Sequence, residues 1–360
     1  MENYMTIKNL IRSDLQNFKA YSSARDESDA HAKIFLNANE SPWEYSQTLE
    51  NIALNRYPEK QPKDLLPQLA QLYQVQAEQL MMLRGSDEAI DLLIRLFCTA
   101  REDAIMICPP TFGMYAVGAA LQDIEVVEVP QYKAQDYQIN YEDLLSKWTP
   151  KVKMIFLCCP NNPTGNLLNP SDIIKLCKEL SGKSIVVVDE AYIEFSDQES
   201  MATYINECEN LVVLRTFSKA YGLAGARCGF LIAQAEIISW IKRIVTPYPL
   251  SSMVIEVVAQ ALAAERLQQV KSYILTIQAE RSSLVEALRK VSCIKKVWVS
   301  AANYILIEVA DANDLVRYCD LKGFILRNMH NKPELDNCVR ITVGRPEDNR
   351  LLLTVLQEYT

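Results

Sequence analysis

Three apolar runs that break abruptly into polar residues constrain this chain more than any other feature. Lys153 to Cys159 runs into Pro160-Asn161-Asn162-Pro163-Thr164-Gly165. Ser184 to Val188 ends in Asp189-Glu190-Ala191-Tyr192, and Leu211 to Leu214 breaks into Arg215-Thr216-Phe217-Ser218-Lys219. Runs this short and this apolar read as buried strands. A further strand over 125–129 and a helix over 141–147 lead into the first of them, so strands alternating with helices predict an α/β fold with a mainly parallel sheet. In such a sheet the carboxyl ends of the strands form the ligand crevice. Asparagine, aspartate, tyrosine and lysine are therefore expected to converge there. A lysine held in that crevice loses hydration, which favours its neutral amine, the form that adds to an aldehyde. Ser218 and Arg227, beside the glycines 222, 225 and 229, are a hydroxyl and a guanidinium suited to a phosphate.

Composition narrows the function class. With 360 residues the chain is long enough for two or three domains, and 49% hydrophobic with 23% charged residues is ordinary for a globular protein. A formal charge of −8 gives no electrostatic reason to expect nucleic acid or an anionic membrane. The ten cysteines form no CxxC pair and read as reduced, mostly buried thiols. His31 and His330 are the only histidines, which argues against a His-rich catalytic metal site. The first eighteen residues carry charges throughout and no run of about eighteen apolar residues occurs, so the expected location is cytoplasmic.

Along the chain, the spacing predicts a helix over 63–73, after Asn55-Arg56-Tyr57-Pro58. A strand–glycine–helix junction follows at Met81 to Glu88, where a helix N-terminus offers unpaired N–H groups to an anion. Pro109-Pro110-Thr111-Phe112 ends another strand. Pro247-Tyr248-Pro249 reads as a boundary, because two prolines interrupt helix. Beyond it come long helices, then strands over 296–299, 304–309, 325–327 and 339–343. The expected division is a large α/β domain, 45–245, and a smaller α+β domain made of 246–360 with the N-terminal segment 1–44.

The stretches NNPTG, VVVDEAYIEF, RTFSKAYGLAGARCG and LNANE resemble the pyridoxal 5′-phosphate (PLP) aminotransferases of fold type I. YSSAR, NRYPEKQP, RGSDEAIDLLIR, CPPTFGMY, ILRN and VRITVGRPED narrow the resemblance to the histidinol-phosphate aminotransferases, nearly end to end. The resemblance implies a seven-stranded sheet and a two-stage exchange between L-histidinol phosphate and 2-oxoglutarate, giving imidazole acetol phosphate and L-glutamate. It assigns Lys219 to the Schiff base with PLP and to proton transfer, Asp189 to the ring N–H, and Asn162 and Tyr192 to the ring hydroxyl oxygen. Phe112, where many relatives have tyrosine, would stack on the ring. Gly85, Ser86, Asp87, Ser218 and Arg227 would hold the cofactor phosphate, helped by Tyr57 of a neighbouring subunit in a homodimer. Tyr21, Asn39, Asn162, Arg327 and Arg340 would meet the substrate. An aromatic amino-acid aminotransferase and a threonine-phosphate decarboxylase remain alternatives. A catalytically silent regulator fits less well, since Lys219 is present, and a dehydrogenase fails for want of an early GxGxxG.

Overall fold

The computed structural model describes residues 7–18 and 54–359. Tyr21 and Asn39 lie outside the described residues.

The expected sheet is present. Its strands are β1 (Leu80–Leu83), β2 (Ala104–Ile107), β3 (Glu125–Glu128), β4 (Val152–Cys158), β5 (Ile185–Asp189), β6 (Leu211–Thr216) and β7 (Gly229–Ala233). They run in the order β1-β7-β6-β5-β4-β2-β3. The pairs from β3 to β6 are parallel, whereas β7 lies antiparallel to both β6 and β1. Apart from the exposed edge strand β3, both faces are covered, so the strands are almost wholly apolar rather than alternating with polar residues. Val186 and Val188 join one core, and Ile185 and Val187 join the other. The period-2 alternation of a strand then puts Asp189 on the Ile185–Val187 face. Helices Ser86–Phe97, Met114–Leu121 and Ala235–Ile244 cover that face through Leu93, Phe97, Tyr115, Ala119 and Ile241.

A second, antiparallel sheet follows, ordered β10-β11-β9-β8. Its strands are β8 (Ile294–Val297), β9 (Tyr304–Val309), β10 (Arg327–Asn328) and β11 (Cys338–Thr342). Ile305, Ile307, Val339 and Ile341 bury one face against Leu284 and Leu288 of the helix Ala264–Leu288, Leu315 of Ala312–Leu321 and Leu352 of Pro346–Glu358. The opposite face carries Tyr304 and Arg340 toward the first sheet, where the Tyr304 hydroxyl donates to the Asn161 carbonyl at 2.7 Å.

Several boundaries differ from the sequence expectation. The first helix spans Leu66–Tyr73 rather than 63–73, with Pro67 in its first turn, where a fixed φ and a missing N–H cost nothing. β8 lies two residues earlier than expected, and β10 starts only at Arg327, where pairing with β11 begins. The helices Met114–Leu121, Pro170–Glu179 and Ala235–Ile244 were not anticipated. All ten cysteines are free thiols. Among the described residues no helix is long and apolar enough to cross a membrane, and no His/Cys/Asp/Glu cluster could hold a metal.

Candidate active site

Because β4, β5 and β6 are parallel neighbours, the loops leaving their carboxyl ends open onto one place. The turn after β6 sets the Lys219 amine 5.4 Å from the centroid of the Tyr192 ring. Backbone bonds fix that turn, with Phe217 N–H donating to Cys228 and Gly222 N–H to Lys219, both at 3.1 Å. Part of the lysine side chain still reaches solvent. Its pKa is nevertheless lowered, first by loss of hydration and then by the Arg340 charge, with Asp87 acting in the opposite sense. The neutral amine is thus more populated than in a surface lysine.

Asp189, the last residue of β5, is buried at 2% exposure. Its Oδ2 accepts from the Tyr115 hydroxyl at 2.8 Å and its Oδ1 from the Ala191 N–H at 3.1 Å. Burial nevertheless pushes the carboxyl up to about 6, against the Tyr115 and Ala191 bonds that pull it down. Such a group is an anion in search of a cation.

The loop after β4 brings Asn162, whose side-chain N–H donates to the Tyr192 hydroxyl at 3.4 Å and whose Oδ1 accepts from Arg340 Nη1. The Tyr192 ring meets Tyr304 edge-on at 5.1 Å, and Arg340 lies 5.2 Å from the centroid of the Tyr304 ring. Burial raises the Tyr192 pKa, so its hydroxyl remains a donor at neutral pH. Arg340 is therefore the residue through which the second sheet enters the crevice. Arg327 stands beside it, directly opposite in the β10–β11 register.

An anion cradle adjoins this group. Gly85 precedes the helix Ser86–Phe97 with φ +85°, and a Cβ there would meet Arg227 Nη2 at 3.1 Å. A Cβ on Gly229 would lie 2.7 Å from the Arg215 carbonyl oxygen and 2.9 Å from the Ser86 nitrogen. Only glycine lets β7 pass this closely beneath the helix N-terminus. Arg227 reaches Asp87 at 3.2 Å, the Ala224 carbonyl at 3.1 Å and Ser218 Oγ at 3.5 Å. Unpaired N–H groups at the helix start, a hydroxyl and a guanidinium thus face one place, the donor set a phosphate requires.

The structure brings Lys219, Asp189, Asn162, Tyr192 and Arg340 together, and joins Gly85, Ser86, Asp87, Ser218 and Arg227 into the cradle. Half-buried Phe112 packs its ring 5.6 Å from Tyr115. Tyr57 is half exposed and stacks on Tyr248 at 4.6 Å.

Sequence reasoning missed the supporting layer. Tyr115, the support of Asp189, has as its one sequence signal that it is the only hydroxyl in the otherwise apolar helix MYAVGAAL. Asn161 ties Thr111, Pro110 and Thr164 together. Behind the sheet, buried Arg215 pairs with Glu190 at 3.0 Å and Glu194 at 2.8 Å.

The model of the family "Aminotransferase class I and II" matches residues 29–356. The chain belongs to this family. It is 40% identical to the histidinol-phosphate aminotransferase of Buchnera aphidicola subsp. Schizaphis graminum, over 98% of this chain and 99% of that protein. Against the histidinol-phosphate aminotransferase of Escherichia coli O9:H4 the identity is 41%, with 98% of each chain covered. Among solved structures, the histidinol-phosphate aminotransferase from Clostridium acetobutylicum superposes with a TM-score of 0.78 at 25% identity, covering 84% of this chain and 90% of that one. The Sinorhizobium meliloti enzyme, solved in complex with PLP, shares the fold at a TM-score of 0.77 and 22% identity, over 85% of this chain and 83% of that one. As an aminotransferase, this chain has its candidate active site where the family's fold opens, at the strand ends around Lys219.

Proposed function

We propose that this aminotransferase moves the amino group of L-histidinol phosphate to 2-oxoglutarate, giving imidazole acetol phosphate and L-glutamate in histidine biosynthesis. The observation that carries the reading is Arg340, whose charge acts on Lys219, with Arg327 directly opposite it in the β10–β11 register. One substrate brings a phosphate ester and the other a carboxylate, and a planar guanidinium pairs with either. The name of the relatives of about 40% identity, histidinol-phosphate aminotransferase, supports histidinol phosphate as the amino donor.

The residues present fit PLP as the cofactor. A depressed lysine, a buried carboxylate lacking a cation, an anion cradle and an aromatic face match its aldehyde, ring nitrogen, phosphate and ring. When bound, PLP supplies the aldehyde that captures an amine and a ring that withdraws electrons. Lys219 would hold the cofactor through its amine and, once displaced by substrate, take the proton from the substrate α-carbon. Asp189 would hold the ring N–H, and Tyr192 with Asn162 would donate to the ring hydroxyl oxygen. Gly85, Ser86 and Asp87 through their backbone, with Ser218 and Arg227, would bind the phosphate, and Phe112 would cover the ring. Arg340 retains N–H groups beyond the one given to Asn162, and these orient the substrate anion while Arg327 takes the phosphate ester. Tyr21 and Asn39 belong to the same substrate reading. The protein works in the cytoplasm as a homodimer, with Tyr57 completing the phosphate site of the second copy. The chain divides near residue 245, with 1–44 and 246–360 forming the smaller domain.

The test is a half-reaction. Protein loaded with PLP is mixed with histidinol phosphate, phenylalanine or threonine phosphate without oxoacid, and its visible spectrum is followed. Conversion at low histidinol phosphate, with weak responses to the others, is the expected result. Preference for phenylalanine, or CO2 release from threonine phosphate, overturns the substrate assignment. Borohydride reduction with PLP should fix the cofactor on the peptide holding Lys219, and attachment elsewhere overturns the site.

A further inference from the structure

The helix Met114–Leu121 delivers one hydroxyl into the apolar layer behind Lys219, and that hydroxyl touches Asp189. We propose that Tyr115 is a positioning residue of this site, whose hydroxyl orients the Asp189 carboxylate and favours its ionised form for the ring nitrogen of the cofactor. The proposal rests on the reading that PLP binds at Lys219.

Tyr115 is fully buried, and its oxygen lies 2.8 Å from Asp189 Oδ2. Its ring is clamped from two sides. It stacks on Phe156 of β4 with centroids 4.7 Å apart and planes 12° apart, and it meets Phe112 edge-on. A clamped phenol leaves the carboxylate one orientation in which Oδ2 reaches the hydroxyl and Oδ1 reaches the Ala191 N–H. Among the described residues no other side chain donates to Asp189. Phe112, expected to cover the cofactor ring, and Tyr115, beneath the carboxylate, therefore form one aromatic unit, so the two contacts are set together.

The direction of donation is fixed. Burial and the neighbouring Asp189 charge raise the Tyr115 pKa far above the range of enzyme assays, so the phenol keeps its proton. Around Asp189 stand Cys158, its neighbour in the β4–β5 register, and the charged groups Asp87 and Lys219. Burial holds the Cys158 thiol above neutral pH in its uncharged form. Asp87 opposes ionisation of Asp189, whereas Lys219 assists it only in its ammonium form. In this set, the Tyr115 hydroxyl is the side-chain influence that favours the carboxylate most.

Tyr115→Phe deletes the hydroxyl and keeps both ring contacts. PLP dissociation constants would be measured by equilibrium dialysis from pH 5.5 to 9 for the wild type, Tyr115→Phe, Asp189→Asn and the double variant. The expected result for Tyr115→Phe is binding weakened about tenfold near neutrality, with its acid limb moved up by about one pH unit. The double variant should match Asp189→Asn alone. In unloaded protein, urea unfolding should show the acid-side gain in stability starting at higher pH in Tyr115→Phe. An unmoved acid limb overturns the proposal, and so does a hydroxyl effect that persists in the Asp189→Asn background. If Tyr115→Phe fails to fold while the double variant folds, the hydroxyl acts on the Asp189 charge, as proposed; if both fail to fold, its role is structural and the proposal falls. Wild-type protein that binds no PLP at Lys219 defeats the underlying reading instead, and the two failures are thereby distinct.

Discussion

Arg327 and Arg340 face each other across β10 and β11, so two guanidiniums project on one side of the second sheet. Like charges in this arrangement destabilise a sheet unless an anion lies between or beside them. Arg340 is engaged with Asn162 and Tyr304, whereas Arg327 makes no side-chain hydrogen bond or ion pair among the described residues. A division of labour follows. Arg327→Gln should leave the unliganded protein no less stable, raise KM for histidinol phosphate roughly 10- to 100-fold and barely change KM for glutamate. Arg340→Gln should raise both KM values and lower kcat, because Asn162 loses its partner. Steady-state kinetics with each substrate varied checks this, and an equal rise in glutamate KM for Arg327→Gln would defeat the division.

The buried Asp189 carboxylate predicts a trade between stability and cofactor binding. Its folded pKa, about 6, lies above the ordinary 3.8, so the fold binds that proton more tightly than the unfolded chain does. The sign is then fixed: stability from this group rises as pH falls from about 6 to about 4, and ionised Asp189 costs on the order of 3 kcal/mol at neutral pH. Unloaded Asp189→Asn protein should lose this part of the pH dependence and be no less stable than wild type at pH 7.5. It should also bind PLP far more weakly. Urea midpoints of both proteins between pH 4 and 8 isolate the effect as a difference curve. Parallel curves across the whole range would mean that the carboxylate is not the group titrating.

Behind the sheet, Arg215 holds Glu190 and Glu194 in a buried triad, with its guanidinium 4.6 Å from the Tyr73 ring centroid. Removing the cation strands two carboxylates, and a buried pair broken from one side typically costs about 3–5 kcal/mol. Arg215→Met should therefore lower the urea midpoint by a stability of that size. Adding Glu190→Gln and Glu194→Gln should recover most of it. Denaturation of the single and triple variants decides between this charge account and simple loss of packing, since a packing loss would not be recovered by the glutamines.

These predictions draw unequally on what the sequence discloses. β4, β5 and β6 are legible because each is a continuous apolar run, and their polar ends place Asn162, Asp189 and Lys219 without any knowledge of tertiary contacts. Gly85 and Arg227 are legible by type but not as neighbours. Their approach depends on β7 running antiparallel beneath the helix Ser86–Phe97, and nothing in GFLIA marks its direction. The Arg327–Arg340 register is hidden for the same reason, since pairing of a two-residue strand leaves no periodicity to read. Tyr115 is hidden more deeply, because 74 positions separate it from Asp189, and the hydrogen bond between them forms only once Phe156 and Phe112 clamp its ring. Local pattern thus places the residues that do chemistry, whereas the residues that orient them are fixed by packing between distant segments.

Tyr57 carries the last prediction. Its ring is half exposed and stacked on Tyr248, and the exposed apolar side chains Leu54, Met253 and Val257 occur in the neighbouring segments of sequence. If Tyr57 completes the phosphate site of a second copy, Lys219→Ala and Tyr57→Ala damage different chains of the same site. Each homodimer then has two defective sites, one kind lacking the amine and the other a phosphate contact. In a mixed dimer, one site combines Lys219 from one chain with Tyr57 from the other and is intact, while its sister site carries both lesions. Random reassortment of equal amounts should therefore restore about a quarter of the wild-type sites. The two variants would be unfolded together in urea, refolded with PLP and assayed against each variant refolded alone. Activity equal to the mean of the separate variants would place Tyr57 within its own chain's site, and activity well above that mean, approaching a quarter of wild type, would place it across the dimer.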